Sequence, residues 1–282
     1  MRKSNYDKTP STVVGGRLWK GWESVLDKLK EACNGSELAH RVVVVECYQG
    51  VHPEELAKHL AALQPLLIIH SEMFFKGVEE IEAMTYPYLT DDRLFGRRAA
   101  FHYTDFLDES RMEVCREKIK AADGLVIVWG PGAACLVPEP DVLVYADMTR
   151  WEIQQRFRRQ EINGLGVKNR EEAPSLHYKR GYFIDWNVCD DLKKQLLPKV
   201  DFWLDTHIPE MPKMITGETM RDGLVKTAHR PFRVVPFFDP APWGGQWMKE
   251  VCGLDSKQDN FAWSFDGVPE ENSLYLKYNQ TR

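Results

Sequence analysis

Val42-Val43-Val44-Val45-Glu46-Cys47-Tyr48-Gln49-Gly50-Val51-His52-Pro53-Glu54-Glu55 is the stretch that decides the fold. Four β-branched residues in a row leave no polar member to face water. The run therefore predicts a strand covered on both faces, as in a parallel sheet with helices on either side. The chain then turns at Gly50 and enters a helix at Pro53, expected over 53–63. Proline suits the first helical position, and Glu54 and Glu55 suit the positive end of the helix dipole.

The same alternation extends outward. Apolar runs at 66–69, 124–129, 141–147 and 200–204 read as further strands. Helical spacing marks 18–33, which stops at Asn34-Gly35, and then 78–84, 109–121 and 150–160. Strand–helix alternation of this kind implies a three-layer α/β domain with a mostly parallel sheet. Residues 1–16 are polar and read as a surface arm, and 17–208 as the α/β domain. The stretch 209–230, rich in Pro, Met and charge, reads as a linker, and 231–282 as a short β-rich segment.

Composition narrows the function. The 282-residue chain is large enough for a substantial core. Its net charge of −5 argues against a nucleic-acid or membrane-surface binder. No stretch approaches the roughly 20 apolar residues of a membrane span. The six cysteines are scattered with no CxxC pair, which points to reduced thiols and a cytoplasmic setting.

In an open α/β sheet the ligand crevice lies at the carboxyl ends of the strands. The loop Tyr48, Gln49, Gly50, Val51 and His52 is therefore the first candidate site. A phosphate-binding loop there would read GxxxxGK[ST], with backbone amides and Lys on the phosphates and a hydroxyl on Mg²⁺. Here the Lys and the hydroxyl are missing and Glu54 and Glu55 stand in their region, so ATP–Mg²⁺ is disfavoured. Glu72, at the end of the second strand, and Asp92 offer carboxylates for Mg²⁺ or for base work. An ordinary turn start is the competing reading of Asp91-Asp92. Gly130-Pro-Gly-Ala-Ala134 follows a strand, and its amides suit an anion, though a tight turn also explains its glycines. No Ser-His-Asp arrangement is present.

Two family resemblances arise. The strand at 141–147, with Arg156-Phe-Arg-Arg159 and Asn163-Gly-Leu-Gly166, resembles nucleoside and uridine kinases of the P-loop class, whose arginine-rich lid closes over phosphates. The resemblance implies a P-loop kinase-like sheet, with Arg156 and Arg159 on a phosphorylated ligand. The alternative for these arginines is a solvated helix face paired with Glu152 and Glu161, with Glu152 and Arg156 at i, i+4.

The second resemblance lies near the C-terminus. Pro236-Phe-Phe-Asp-Pro-Ala-Pro-Trp-Gly-Gly-Gln-Trp247, followed by Asn260-Phe-Ala-Trp-Ser-Phe-Asp-Gly-Val-Pro-Glu-Glu-Asn-Ser273, resembles the start of class I mannose-6-phosphate isomerases, zinc-dependent cupin enzymes. That family's zinc ligands, a Gln-x-His pair, a Glu and a later His, lie downstream of its Trp-Gly-Gly turn. No His follows Trp243, so none of them transfers to this chain, and zinc is expected only in a further isomerase domain. Gln49 and His52 imitate the pair but stand three apart rather than two.

Taken together, the resemblances imply an incomplete cupin module at 231–282. They also imply a catalytically degenerate kinase-like domain that binds or regulates within an isomerase-like protein of sugar-phosphate metabolism. An active nucleoside-kinase-type phosphotransferase and a non-catalytic scaffold are the alternatives. The aromatic segment from 236 onward lacks a partner sheet on this reading. It is expected to seat on the α/β domain or on another subunit of a homo-oligomer.

Overall fold

The computed structural model of the chain describes residues 11–34, 40–92, 95–230, 234–239, 249–253, 255, 260–265 and 276–278. In chain order the first half holds β1 (Thr12–Val14), β2 (Trp19–Lys20), α1 (Gly21–Asn34), β3 (Arg41–Cys47), α2 (Pro53–Ala61), β4 (Leu67–His70), α3 (Val78–Leu89), α4 (Glu109–Ala121) and β5 (Leu125–Gly130). The second half holds α5 (Ala133–Leu136), β6 (Val142–Asp147), α6 (Arg150–Arg158), α7 (Pro174–Arg180), α8 (Trp186–Leu196), β7 (Phe202–Asp205), β8 (Lys213–Thr216) and α9 (Gly217–Ala228). Three short strands follow: β9 (Val234–Asp239), β10 (Asn260–Phe265) and β11 (Leu276–Tyr278). A single π-helical turn, Gly181–Asp185, joins α7 to α8.

The main sheet runs β2-β8-β7-β6-β3-β5-β4. Its β4, β5, β3, β6 and β7 are mutually parallel, and β8 and β2 add antiparallel pairs at one edge. The strand with the valine run, β3, is central, and its side chains alternate between two apolar layers. Val43 and Val45 pack with Trp22, Leu26 and Leu29 of α1 and Leu56 and Leu60 of α2. Val42 and Val44 pack on the opposite layer with Met112 and Ile119 of α4 and Leu192 of α8. Each fully buried side chain of this kind contributes about 1.5–3 kcal/mol. The architecture is a three-layer α/β arrangement with a mostly parallel sheet.

Two expectations are corrected. The stretch 209–230 is not a linker: it supplies β8, hydrogen-bonded to β7, and α9, whose Met220 enters the core. The C-terminal stretch does find partners within the chain. β9 and β10 pair antiparallel with Val234 opposite Phe265. β11 pairs in parallel with β1, Thr12 opposite Leu276. The described part of the expected surface arm, 11–16, is thereby tied down, with Val14 buried and Thr12 Oγ1 2.7 Å from Thr227 Oγ1 of α9. The Trp-Gly-Gly turn at 243–245, and most of 236–273 beyond β9 and β10, lie outside the described residues.

Candidate functional site

The connections leaving β3 and β6 diverge. The chain leaves β3 through α2, which packs on the α1 face, and reaches β4 on one side. It leaves β6 through α6, α7 and α8, of which α6 and α8 pack on the other face, and reaches β7 on the opposite side. The carboxyl ends of β3 and β6 thus form the topological switch point where such sheets place a ligand crevice.

At the end of β3 the loop is filled by the protein itself. Gly50 has φ of +101°, and a Cβ there would lie 3.1 Å from Ile162 Cδ1 and 3.2 Å from Ile153 Cγ1. Only glycine suits that backbone and that close approach. Arg156, on the inner face of α6 with Ile153 and Phe157, is fully enclosed. Its Nη1 donates to Gly50 O at 2.7 Å, its Nη2 to Thr206 O at 2.8 Å, and its Nε to Glu152 Oε1 at 3.2 Å. The guanidinium therefore brackets the β3 loop to the end of β7. Arg159 lies outside, its side chain 47% exposed, bonded to Glu161 at 2.7 Å and Glu152 at 2.8 Å. His52 stands 3.5 Å from Glu161 Oε2, and burial, aided by the nearby Arg156 charge, holds its imidazole below the usual range.

The remaining loop residues face inward. Gln49 is buried and its Nε2 donates to Asp185 Oδ2 at 3.1 Å and Asn163 O at 3.3 Å. Val51 is half-buried and packs against both apolar layers. Tyr48 donates its hydroxyl to Asp190 Oδ1 at 2.7 Å, and Arg150 Nη2 closes that triangle, 3.1 Å from Tyr48 Oη and 2.8 Å from Asp190 Oδ2. The structure thus gathers Tyr48, Gln49, Gly50, Val51, His52 and Arg156 around one loop. Glu72 is not among them. It follows β4, the edge strand separated from β3 by β5, and its exposed carboxylate lies 3.5 Å from His70. Asp92 is exposed beyond α3, where its Oδ1 accepts the Phe95 amide at 2.7 Å and its carbonyl accepts from Lys179 Nζ.

The second anion-suited element is also occupied from within. In the turn after β5, Gly132 N donates to Glu46 Oε1 at 2.7 Å and Ala134 N to Oε2 at 2.8 Å. Glu46 is fully buried, and burial pushes its carboxyl up to about 8, although the two amide bonds work in the other direction. The amides that the sequence marks as an anion receiver hold the protein's own side chain.

A cavity of about 780 Å³ opens beside these loops, between α8 and α9 and at the carboxyl ends of β6 and β7. At its polar end Lys193 Nζ donates to Asp147 Oδ2 at 2.7 Å and sits near the rings of Tyr48, Trp203 and Tyr145, at 5.2, 5.4 and 6.0 Å. Burial holds the Asp147 carboxyl above its usual range despite the lysine. Thr149 caps α6 and stands 3.1 Å from His207 Nδ1. Sequence reasoning missed Asp147, Lys193 and His207. One signal was available: Asp147 and Asp205 each end a strand, the position from which a parallel sheet builds its sites. Among the described residues no group of three or more His, Cys, Asp or Glu side chains is placed to hold a metal ion, and no helix is long and apolar enough to cross a membrane.

Solved structures similar to the chain include a putative fructose transport system kinase from Silicibacter sp. TM1040, at 11% identity and TM-score 0.41 over 61% of this chain and 94% of that one. Another is a gluconokinase from Sinorhizobium meliloti 1021, at 12% identity and TM-score 0.32 over 68% of this chain and 94% of that one. No curated protein matches the chain. Residues 21–229 match one family, so α9 lies within the matched span and 231–282 outside it. The chain belongs to the family described as a domain of unknown function, DUF8485.

Proposed function

We propose that this chain is a ligand-binding domain on a P-loop kinase-like frame that does not transfer phosphoryl groups. The observation that carries the reading is the bonding of Arg156. In phosphoryl transfer a cation must meet the transferring phosphate and an amide-lined loop must cradle it. Here the Gly50 carbonyl accepts from the guanidinium that the kinase resemblance would assign to a phosphate, and α2 opens with Glu54 and Glu55. The missing Lys and hydroxyl argue the same way.

Calorimetric titration with ATP–Mg²⁺ is expected to give no heat, and no phosphate should pass from ATP to a sugar or nucleoside. Micromolar nucleotide binding that is lost in Arg159→Ala would instead establish the phosphotransferase reading. Service to an attached mannose-6-phosphate isomerase-like half is a finer proposal, supported by the residues of 236–273 alone. Heat with mannose 6-phosphate or fructose 6-phosphate, and none with nucleotide, is its expected signature. Self-association through the segment from 236 onward, with no small-molecule heat, is the outcome a scaffold would give.

A further inference from the structure

We propose that the cavity between α8 and α9 binds an uncharged amphiphile, a molecule with an apolar body and a hydroxyl- or amide-bearing head. The inference rests on the reading that this domain binds rather than phosphorylates, and it names the site and the ligand class. The cavity's volume of about 780 Å³ is that of a site for a drug-sized molecule. Leu197, Ile215, Met220 and Leu224 line it with aliphatic surface.

The two ends of the described chain supply a further wall. Val14 of β1 and Leu276 and Tyr278 of β11 line the cavity, and the β1–β11 ladder holds them in register. Gly223 of α9 permits their approach, since a Cβ there would lie 2.8 Å from Leu276 Cδ2 and 3.2 Å from Val14 Cγ1.

The polar end selects for neutrality. Asp147 is matched by Lys193 at 2.7 Å, Asp190 by Arg150 at 2.8 Å, and Asp205 by Lys213 at 4.0 Å. A charged head would have to break one of these pairs and strand its partner, or settle against Asp191 or Lys194, which also line the cavity but stand exposed on α8, where solvent screens them. A hydroxyl or amide, which both donates and accepts, can bridge a carboxylate and a cation while leaving the pairs in place. The Thr149–His207 pair adds a hydroxyl and an imidazole to that end.

The probe for the test is N-phenyl-1-naphthylamine, an uncharged dye that brightens when buried, titrated into the full chain. It is then displaced by octyl β-glucoside, hexyl β-glucoside, octanoate or octylammonium, each below its micelle concentration. Octyl glucoside should compete at least about tenfold better than either charged octyl compound. It should also beat hexyl glucoside by about 15-fold, the worth of two buried methylenes.

Leu224→Trp, which fills the cavity, and Leu276→Asp, which charges its terminal wall, should each weaken dye binding at least about tenfold. Leu276 lies outside the seven-stranded sheet, so this second variant tests the site where Leu224→Trp disturbs folding, with far-UV circular dichroism checking both. Absence of dye binding, a charged compound competing as well as the glucoside, or folded variants that bind unchanged would each overturn the site. Phosphoryl transfer from labelled ATP would sink the binding-only reading while leaving the displacement order to stand or fall separately.

Discussion

Arg156→Ala is expected to cost about 3–5 kcal/mol of folding stability, whereas Arg159→Ala costs under about 1 kcal/mol. The two arginines lie three residues apart in one charged cluster, and only their surroundings differ. Arg156 is fully enclosed and bonded to Gly50 O, Thr206 O and Glu152. Truncation leaves two carbonyls without their donor, removes one of the two arginines held by the mostly buried Glu152 carboxylate, and opens a hole under the β3 loop. Arg159 is half-exposed, where solvent screens its pairs with Glu152 and Glu161. In urea the Arg156→Ala midpoint should fall by about 1 M or more, taking a slope near 3 kcal/mol/M. Arg156→Lys should fall between, because an ammonium lacks the planar fork that spans two separated carbonyls. A lid arginine would behave in the opposite way, losing ligand affinity at unchanged stability, so a small midpoint shift for Arg156→Ala would remove the bracket.

Helical phase already carried part of this result. Ile153, Arg156 and Phe157 stand at i, i+3 and i+4, so a helix that buries its apolar residues turns Arg156 inward with them. What the phase cannot give is the partner, because Gly50 and Thr206 are 106 and 50 residues away. The strands were legible for a simpler reason: runs such as 42–45 and 142–146 are apolar on both faces, which is itself the signature of a central parallel strand. The stretch 209–230 was misread because its pattern is not apolar. Apart from Met220, the buried positions of α9 are the small or hydroxyl-bearing Gly217, Thr219, Gly223 and Thr227, and Gly223 lets β1 and β11 approach. β8, paired between β7 and the edge strand β2, is short and buries only Met214 fully, with Lys213 exposed, so composition reads it as polar. The Asp147–Lys193 pair joins β6 to a helix 46 residues later, a helix that the sequence reading left unassigned.

Glu46 should give the wild-type protein a stability that falls as pH rises, and Glu46→Gln should remove that slope. Its carboxyl is raised from 4.5 to about 8 in the folded state, with burial as the cause. Between those values the folded protein keeps a proton that the unfolded chain has released, so the contribution is fully present below about 4.5, declines through the window and levels off above about 8. At 1.36 kcal/mol per unit, the loss across the window is on the order of 4 kcal/mol. Burial also raises Asp147 and Asp185, which slope the same way, so the diagnostic quantity is the difference between wild type and Glu46→Gln at each pH. Near pH 5 the variant should be the less stable by about 1–3 kcal/mol, because a glutamine sets its NH2 donor against one of the amides Gly132 N and Ala134 N, whereas the protonated carboxyl keeps an acceptor lone pair on both oxygens. The gap should close and reverse by pH 8, where the wild type holds a buried charge and the variant does not. Urea midpoints from pH 5 to pH 9 decide the matter. Parallel curves would mean that the two amides keep Glu46 ionised throughout, and that the turn after β5 is an anion receiver strong enough to overcome burial.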